Sequence, residues 1–114
     1  MSASKAKGRV GENRVAAFMG AVWPGVTRTG SNHSTEWGAC DLRNTRQWGV
    51  EVKRWANEFS AVNQANWDQA LRNAGYADKL PMLISLRHGR NVKDALVVCT
   101  LEDMRELLRK VQGQ

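Results

Sequence analysis

The sequence lacks the features that define several large classes of protein. It has two cysteines, Cys40 and Cys99, without the spacing of a metal site or a disulfide framework, so we expect reduced thiols in an intracellular protein. No apolar run reaches the length of a membrane span. The first eight residues contain no apolar segment of a secretory signal. These absences predict a cytoplasmic protein that has no membrane partner.

Internal repeats, low-complexity tracts and domain linkers are also missing from the sequence. A chain of 114 residues is long enough to bury a core of its own, so we expect one domain. Its first seven residues are small, polar and basic, and we interpret residues 1–7 as a flexible arm. Residues 8–114 then form the folded domain.

Acidic residues are scarce in the first half of the chain. The net charge is +6, and residues 1–57 hold nine Lys and Arg against four Asp and Glu, whereas residues 58–114 hold eight against seven. The four acids of the first half are Glu12, Glu36, Asp41 and Glu51. A basic surface attracts phosphate, although many basic proteins bind no nucleic acid. All of these acids except Glu36 are candidates for a metal site on a phosphate-binding surface.

Hydrophobic periodicity predicts eight elements in the order α-β-β-β-α-β-β-α. We expect helices over 9–22 and 61–79, and a last helix that begins at a capping box in residues 100–103. Strands are expected at 26–29, 39–43, 47–54, 82–86 and 95–99. Helices on both flanks of two fully apolar strands favour a single-domain α/β fold with a central, mixed five-stranded sheet.

Each predicted helix has an apolar face, and in two of them a polar residue interrupts it. In the first helix the expected buried face is Glu12, Val15, Phe18, Met19 and Val22. In the second helix it is Gln64, Trp67, Leu71, Ala74 and either Ala77 or Asp78. In the last helix it is Met104, Leu107, Leu108 and Val111. Glu12 therefore either belongs to a site at the end of the first helix or opposes the helix dipole in the first turn.

The strand over residues 48–53 has the pattern that bears most directly on function. Period-2 alternation puts two valines on one face of the strand and Glu51 and Lys53 on the other. The polar connection 44–47 is short enough for a hairpin, which would bring Asp41 beside Glu51. Two carboxylates so close need a proton or a cation between them, and a hard divalent cation takes oxygen ligands. The alternative is an ordinary half-solvated strand, with Asp41 as a turn residue.

Three further side chains flank this strand pattern. Trp37 and Trp55 lie on either side of the proposed site in sequence, and they either stack on bases or sugars or pack in the core. His33 belongs to the polar loop 30–38, and we expect a solvated polar residue there rather than a metal ligand.

The order and spacing of these residues resemble the catalytic core of the restriction-endonuclease-like nuclease superfamily, in which an Asp precedes a Glu-x-Lys strand. More narrowly, the chain is similar to the archaeal-type Holliday junction resolvases over roughly residues 8–87. The matching stretches are residues 8–14, 27–31, 40–42 and 50–53, followed by Gln64 and Gly75. One departure is Cys40, at a position where the superfamily often has proline.

The resemblance implies a ligand set and a role for each residue. Asp41 and Glu51 would ligate Mg²⁺, or Mn²⁺ in its place. The Val52 carbonyl would be a further ligand, and Glu12 would complete the site from the helix. Lys53 would orient or deprotonate the attacking water, and Ser31 would lie near the scissile phosphate. The residues expected to bind DNA are Arg9, Arg14, Arg28, Arg43, Arg46, Arg54 and Gln64.

The activity implied by the resemblance is that of a metal-dependent, structure-selective DNA endonuclease, specifically a Holliday junction resolvase. Its partner would be branched double-stranded DNA, it would need no small-molecule cofactor, and two symmetric cuts from one site per chain would require a homodimer. It would act at the nucleoid, or in the host cytoplasm if the gene is viral. Alternatives are a VRR-NUC-type repair nuclease that cuts flaps or other branched DNA, a non-catalytic DNA-binding protein on the same fold, and a basic interaction module.

Overall fold

Helices and strands follow one another in the order that the sequence predicts. The computed structural model describes residues 3–30 and 36–113. The helices are α1 (Ala3–Met19), α2 (Gln64–Tyr76) and α3 (Leu101–Val111). The strands are β1 (Thr27–Arg28), β2 (Leu42–Arg43), β3 (Trp48–Trp55), β4 (Leu80–Arg87) and β5 (Leu96–Val98). The chain is therefore a single α/β domain, as predicted.

The strands form two sheets, so the prediction of one five-stranded sheet is wrong. Strands β1 and β2 make a short antiparallel pair, whereas β3, β4 and β5 make a mixed sheet in which β3 and β4 are parallel and α2 connects them. The connection 44–47 does not form the predicted regular hairpin, because β2 pairs with β1 instead of β3. Within the connection, Asn44 and Arg46 adopt positive φ, and the buried Thr45 hydroxyl donates to the Trp48 carbonyl at 2.7 Å. This compact turn leads the chain directly from β2 into β3.

The two sheets meet at Asp41. Its backbone N–H donates to the Val50 carbonyl of β3 at 2.9 Å, and its carbonyl accepts from the Thr29 N–H, just after β1, at 2.8 Å. Asp41 is thus held by its backbone between both sheets. These two hydrogen bonds fix the backbone of Asp41 as firmly as that of a residue inside a strand.

One face of β3 enters the main core, as the period-2 pattern predicts. The same face of β4 joins it, and α1 packs against both strands. The core cluster consists of Val15, Ala16, Trp23, Leu42, Trp48, Val50, Val52, Met82, Ile84 and Leu86. Burying these side chains removes apolar surface from water, which is the main driving force for the fold.

The opposite face of β3 is covered by α2. The approach is close, because a Cβ built on Gly49 would lie 2.8 Å from the Ala74 Cβ and 3.1 Å from the Cys40 Sγ. Any larger residue at position 49 would push α2 away from the strand. Both faces of β3 are therefore buried, and this determines the surroundings of Glu51.

Helix α1 differs from its prediction in its limits and its buried face. It begins at Ala3, so most of the segment 1–7 that we interpret as an arm has helical backbone, and it ends at Met19 rather than at residue 22. Phe18 is 53% exposed, and Val22 lies beyond the helix and is exposed, whereas Val15 is buried. The buried face is turned toward Gly11, where an added Cβ would lie 3.3 Å from Leu86. This small residue lets the helix sit close to the sheet.

Helix α2 is shorter than predicted and buries small residues instead of large ones. A 3₁₀ helix, Glu58–Ala61, precedes it, and its buried residues are Ala70 and Ala74. Leu71 and Gln64 are exposed and Trp67 is half-buried, so the predicted stripe is fully buried only at Ala74 and Ala77. The reason is the close contact at Gly49, which only a small-residue face can make.

The last helix begins where the capping signature predicts. The Thr100 side chain accepts a hydrogen bond from the Asp103 N–H at 3.0 Å, which satisfies one of the unpaired donors of the first turn. Leu107 packs against the core, whereas Leu108 and Val111, which were also predicted to be buried, are exposed. None of the helices in the described ranges is long and apolar enough to cross a membrane.

Candidate functional site

A groove lies along β3, between α1 and α2. It has a volume of about 420 Å³, which is much larger than the roughly 30 Å³ that one water occupies in the liquid. Its lining residues are Gly8, Glu12, Asp41, Glu51, Val52, Lys53, Arg54, Trp55 and Gln69. The structure therefore brings together six residues predicted for the site, and adds Gly8, Trp55 and Gln69 to them.

Asp41 points its carboxylate at the backbone of β3. The Val52 N–H donates to Asp41 Oδ2 at 2.8 Å. Burial raises the pKa of the Asp41 carboxyl, and this hydrogen bond opposes the rise because it favours the charged form. In an extended strand the N–H and C=O of one residue point to the same side, so the Val52 carbonyl also projects toward Asp41.

Glu51 is almost completely buried, with 2% of its surface exposed. Its Oε1 accepts a hydrogen bond from Asn73 Nδ2 of α2 at 2.8 Å. Burial, followed by the nearby Asp41 charge, raises the pKa of Glu51 to about 8. A half-solvated strand would leave this carboxylate in water, so that interpretation of the Glu-Val-Lys pattern is wrong.

Lys53 lies on the same face of β3 as Glu51, two residues further along the strand. Its Nζ donates to Gln69 Oε1 of α2 at 2.7 Å. Gln69 and Asn73 are four residues apart, so they occupy the same face of α2, one turn from each other. The Gln69 amide therefore holds the ammonium of Lys53, and the Asn73 amide holds the carboxylate of Glu51.

Glu12 reaches the groove from the middle of α1, but it is already paired. Arg28 Nε lies 3.2 Å from Glu12 Oε1. Burial and the Asp41 charge raise the pKa of Glu12, whereas Arg28 lowers it. Gly30, with φ of 63°, makes room for this arginine, because a Cβ there would lie 3.1 Å from Arg28 Nη1. Glu12 therefore lies beside the carboxylate pair as part of an ion pair.

The oxygen atoms available in the groove suit a small divalent cation. Asp41 and Glu51 supply two carboxylates, and the Val52 carbonyl is directed to the same side. Mg²⁺ is commonly bound by one or two carboxylates together with water molecules, so this set is sufficient for it. Within the described ranges, no three Asp, Glu, His or Cys side chains form a group that could hold a metal by themselves. Glu12 lines the same groove next to Asp41, and its place in the ligand set stays a prediction.

Cys40 contributes to the site by packing rather than by chemistry. The thiol is buried and donates to the Asn73 carbonyl at 3.5 Å, so it links the segment before β2 to α2. Burial and the charges of Glu51 and Asp41 raise the pKa of the thiol to about 11. Cys40 is thus a neutral contact beside Asn73, the residue that binds Glu51.

The residues predicted to bind DNA fall into two groups. Those that are exposed are Arg9, Arg14, Arg46 and Gln64. Those that are half-buried are Arg28, Arg43 and Arg54. Arg54 lines the groove, Arg28 is paired with Glu12, and Gln64 donates to Asp68 at 2.8 Å on the exposed side of α2. The structure thus places Arg54 in the groove lining and Arg28 beside Glu12, whereas Gln64 lies outside the groove lining.

Two predictions in the loop after β1 cannot be compared with the structure. Ser31 and His33 lie outside the described residues.

The two tryptophans that flank the site have different surroundings. Trp37 is buried, with Lys79 Nζ 4.4 Å from its ring centre, and Trp55 is half exposed in the groove.

Sequence reasoning missed Gln69 and Asn73. A signal was present, since two amides at i, i+4 spacing run beside the small residues Ala70 and Ala74. Small residues allow a helix to approach a strand closely, so polar neighbours on that edge come within hydrogen-bonding distance of the strand's side chains. The large residues Trp67 and Leu71 predicted that a different face of α2 would be buried.

Comparisons with known proteins identify no relative of this chain. The chain matches no family model, and it has no significant similarity to a curated protein or to a solved structure.

Proposed function

We propose that this chain is a metal-dependent, structure-selective DNA endonuclease with a restriction-endonuclease-like core, specifically a Holliday junction resolvase. The observation that carries the proposal is Glu51, a buried carboxylate beside Asp41 with Lys53 on the same strand face. Burying two acids together is unfavourable for stability, and such arrangements are concentrated at functional sites. A bound divalent cation would remove the repulsion between them.

The chemistry follows from the groups in the groove. A divalent cation held by Asp41 and Glu51 would supply charge neutralisation at the phosphate and a more acidic water. Lys53 places a fixed positive charge beside the phosphodiester, where negative charge grows during attack by water. Gln69 keeps that ammonium directed along the groove through its 2.7 Å hydrogen bond. Asn73 does the same for the carboxylate of Glu51.

The charge around the groove supports a polyanionic substrate. Arg54 lines the groove, and Arg9 and Arg14 are exposed on α1, which forms one of its walls. Contacts of this kind bind the DNA backbone without reading its sequence, and they weaken as salt increases. This suits an enzyme that selects its substrate by shape.

A homodimer is part of the proposal because a junction is resolved by two symmetric cuts and each chain has one such groove. A VRR-NUC-type repair nuclease would use the same groups on flaps. A non-catalytic DNA-binding protein would bind the same DNA without cutting it. The three possibilities differ in substrate and product, so one set of substrates can separate them.

The experiment compares a synthetic four-way junction, a flap and a linear duplex, each incubated with the protein in Mg²⁺, Mn²⁺ or EDTA. We expect paired nicks at symmetric positions on the junction, present in either metal and absent in EDTA. Cleavage confined to flaps would replace the resolvase assignment by the repair nuclease. Tight junction binding without cleavage in both metals would contradict the enzyme hypothesis.

A further inference from the structure

Trp55 is an exposed aromatic side chain inside the candidate site. It is the last residue of β3, it lines the groove together with Asp41, Glu51 and Lys53, and it is 47% exposed. The other four tryptophans all lie in the described ranges, and they are buried or half-buried. Trp55 is thus the most exposed of the five indoles, and it lies next to the carboxylates of the groove.

The chain around Trp55 adds a second exposed aromatic ring. The 3₁₀ helix Glu58–Ala61 follows β3 and packs against it, and its Phe59 is 67% exposed. Its backbone is fixed by the Asn57 side chain, which accepts from the Phe59 N–H at 2.9 Å. Large apolar rings that remain in water close to polar groups are typical of binding surfaces.

The position of Trp55 relative to Lys53 suggests what the ring contacts. The two residues are separated by one alternation of the strand, so their side chains share a face about 7 Å apart. Arg54 lies between them in sequence and also lines the groove. An aromatic ring beside cationic groups is the usual arrangement for stacking a nucleobase while its phosphates are neutralised.

We infer that Trp55, together with Phe59, forms a stacking subsite for a nucleobase that has one face uncovered, adjacent to the phosphate held in the groove. Bases inside a continuous duplex have both faces covered by their neighbours, so this subsite can be filled only where stacking is interrupted. Such bases occur at branch points, at flaps and in single strands. The inference rests on the proposed function, and it gives that function a means of selecting branched DNA.

The test measures binding in EDTA, where no cleavage occurs, using a four-way junction, a flap, a single-stranded oligonucleotide and a blunt duplex. The variants are Trp55→Ala, Trp55→Phe and the control Tyr76→Ala, whose ring is 79% exposed at the opposite end of α2. Stacking one base is worth about 1–3 kcal/mol, which corresponds to a loss of roughly 5- to 150-fold in affinity. We expect Trp55→Ala to lose affinity in that range for the junction, the flap and the single strand, and to stay within about 2-fold on the duplex.

Trp55→Phe distinguishes stacking from a structural role. The smaller ring still stacks, so most of the affinity should remain, but the quenching of tryptophan fluorescence by the single strand should disappear. Tyr76→Ala should bind all four DNAs like the wild type. Circular dichroism checks that each variant is folded.

Several results would overturn the inference. These are wild-type affinity in Trp55→Ala, an equal loss on duplex and branched DNA, and quenching that persists in Trp55→Phe. A change of oligomeric state in Trp55→Ala with unchanged DNA binding would instead make this surface a protein interface. The inference and the proposed function fail in different ways. Selective stacking without cleavage in Mg²⁺ contradicts only the nuclease, and junction cleavage with normal binding by Trp55→Ala contradicts only the subsite.

Discussion

The two faces of β3 are both buried, but they are buried by opposite kinds of chemistry. Toward α1 the strand presents Val50 and Val52, which are packed among apolar side chains. Toward α2 it presents Glu51 and Lys53, each hydrogen-bonded to an amide side chain. The apolar face contributes to stability by removing surface from water. The polar face opposes stability, since it holds a carboxylate in a place where its charge is poorly solvated.

This comparison shows how one strand can serve as scaffold and site together. The core face fixes the position of β3, so the groups on the other face are held in place without being stabilised themselves. The two faces should therefore respond in opposite ways to substitution. Changes on the apolar face should unfold the protein, and changes on the polar face should stop its chemistry while leaving the fold intact or more stable.

The largest effect is expected for Glu51→Gln. The amide keeps the shape and the contact with Asn73 but removes the negative charge, so cleavage should fall at least roughly 100-fold, the scale of losing one group that stabilises charge in a transition state. Without metal at pH 8 the same variant should be more stable than the wild type, because it no longer buries a charge. Glu36→Gln, at an exposed position, is the matched control. Single-turnover cleavage rates and urea unfolding would together measure the loss of activity and the gain of stability. A Glu51→Gln variant that is less stable than the wild type but still active would contradict the functional role of the polar face of β3.

The opposite pattern is expected for Ile84→Ala on the core face. Ile84 is 4% exposed and lies beside Val52 in the parallel register. Removing a buried aliphatic side chain of this size costs about 2–5 kcal/mol of unfolding free energy. Urea denaturation would measure this, and the exposed Val97→Ala on β5 should change the free energy by no more than about 0.5 kcal/mol. Equal stability of the two variants would show that this face is not the main core.

A smaller effect is expected for Asn73→Ala, which removes the hydrogen bond to Glu51 but leaves the carboxylate. Residues that orient a metal ligand typically change metal affinity or activity by 10–100-fold. We expect a loss of roughly that size, expressed as a higher Mg²⁺ concentration for half-maximal cleavage and partly restored by excess Mg²⁺. Asp68→Asn, an exposed position on the same helix, serves as the control. A loss that is independent of Mg²⁺ concentration would mean that Asn73 does not act through the ligand.

The smallest effect concerns pH. The pKa of Glu51 is raised in the folded protein to about 8 from its ordinary value of 4.5, so the folded state binds a proton that the unfolded state has released. Stability of the metal-free protein should therefore fall as pH rises from about 4.5 to about 8. We expect Tm to decrease over this window, and added Mg²⁺ should raise Tm more at pH 8 than at pH 5. A Tm that rises across the window in EDTA would contradict the raised pKa, and Glu51→Gln should flatten the dependence.

The sequence predicts the core face of β3 better than the polar face. Alternation alone places Val50 and Val52 inward, and the capping signature places the start of α3. Alternation cannot show that the face with Glu51 is buried too, because that depends on how closely α2 approaches. The approach is determined by Gly49 meeting Ala74, a contact between residues 25 positions apart.

Contacts between separate elements also explain why the strands form two sheets and why Glu12 is paired with Arg28. Strand β2 pairs with β1 rather than with β3, so the strands separate into two sheets, and the polar connection 44–47 gives no signal for that choice of partner. Glu12 is predicted for the site from its helical position. Its pairing with Arg28 depends on a contact between α1 and β1, and helical periodicity carries no information about such contacts.

The most direct test of the account is the nicking of a four-way junction in Mg²⁺ at pH 8 by the wild type and by Asp41→Asn, with equal protein concentrations. The asparagine retains an oxygen for the Val52 N–H, so the fold should be preserved while one charged ligand is lost. We predict paired nicks by the wild type and at least roughly 100-fold slower nicking by Asp41→Asn with unchanged junction binding. Equal nicking by both proteins would contradict the claim that the carboxylates beside β3 form a catalytic metal site.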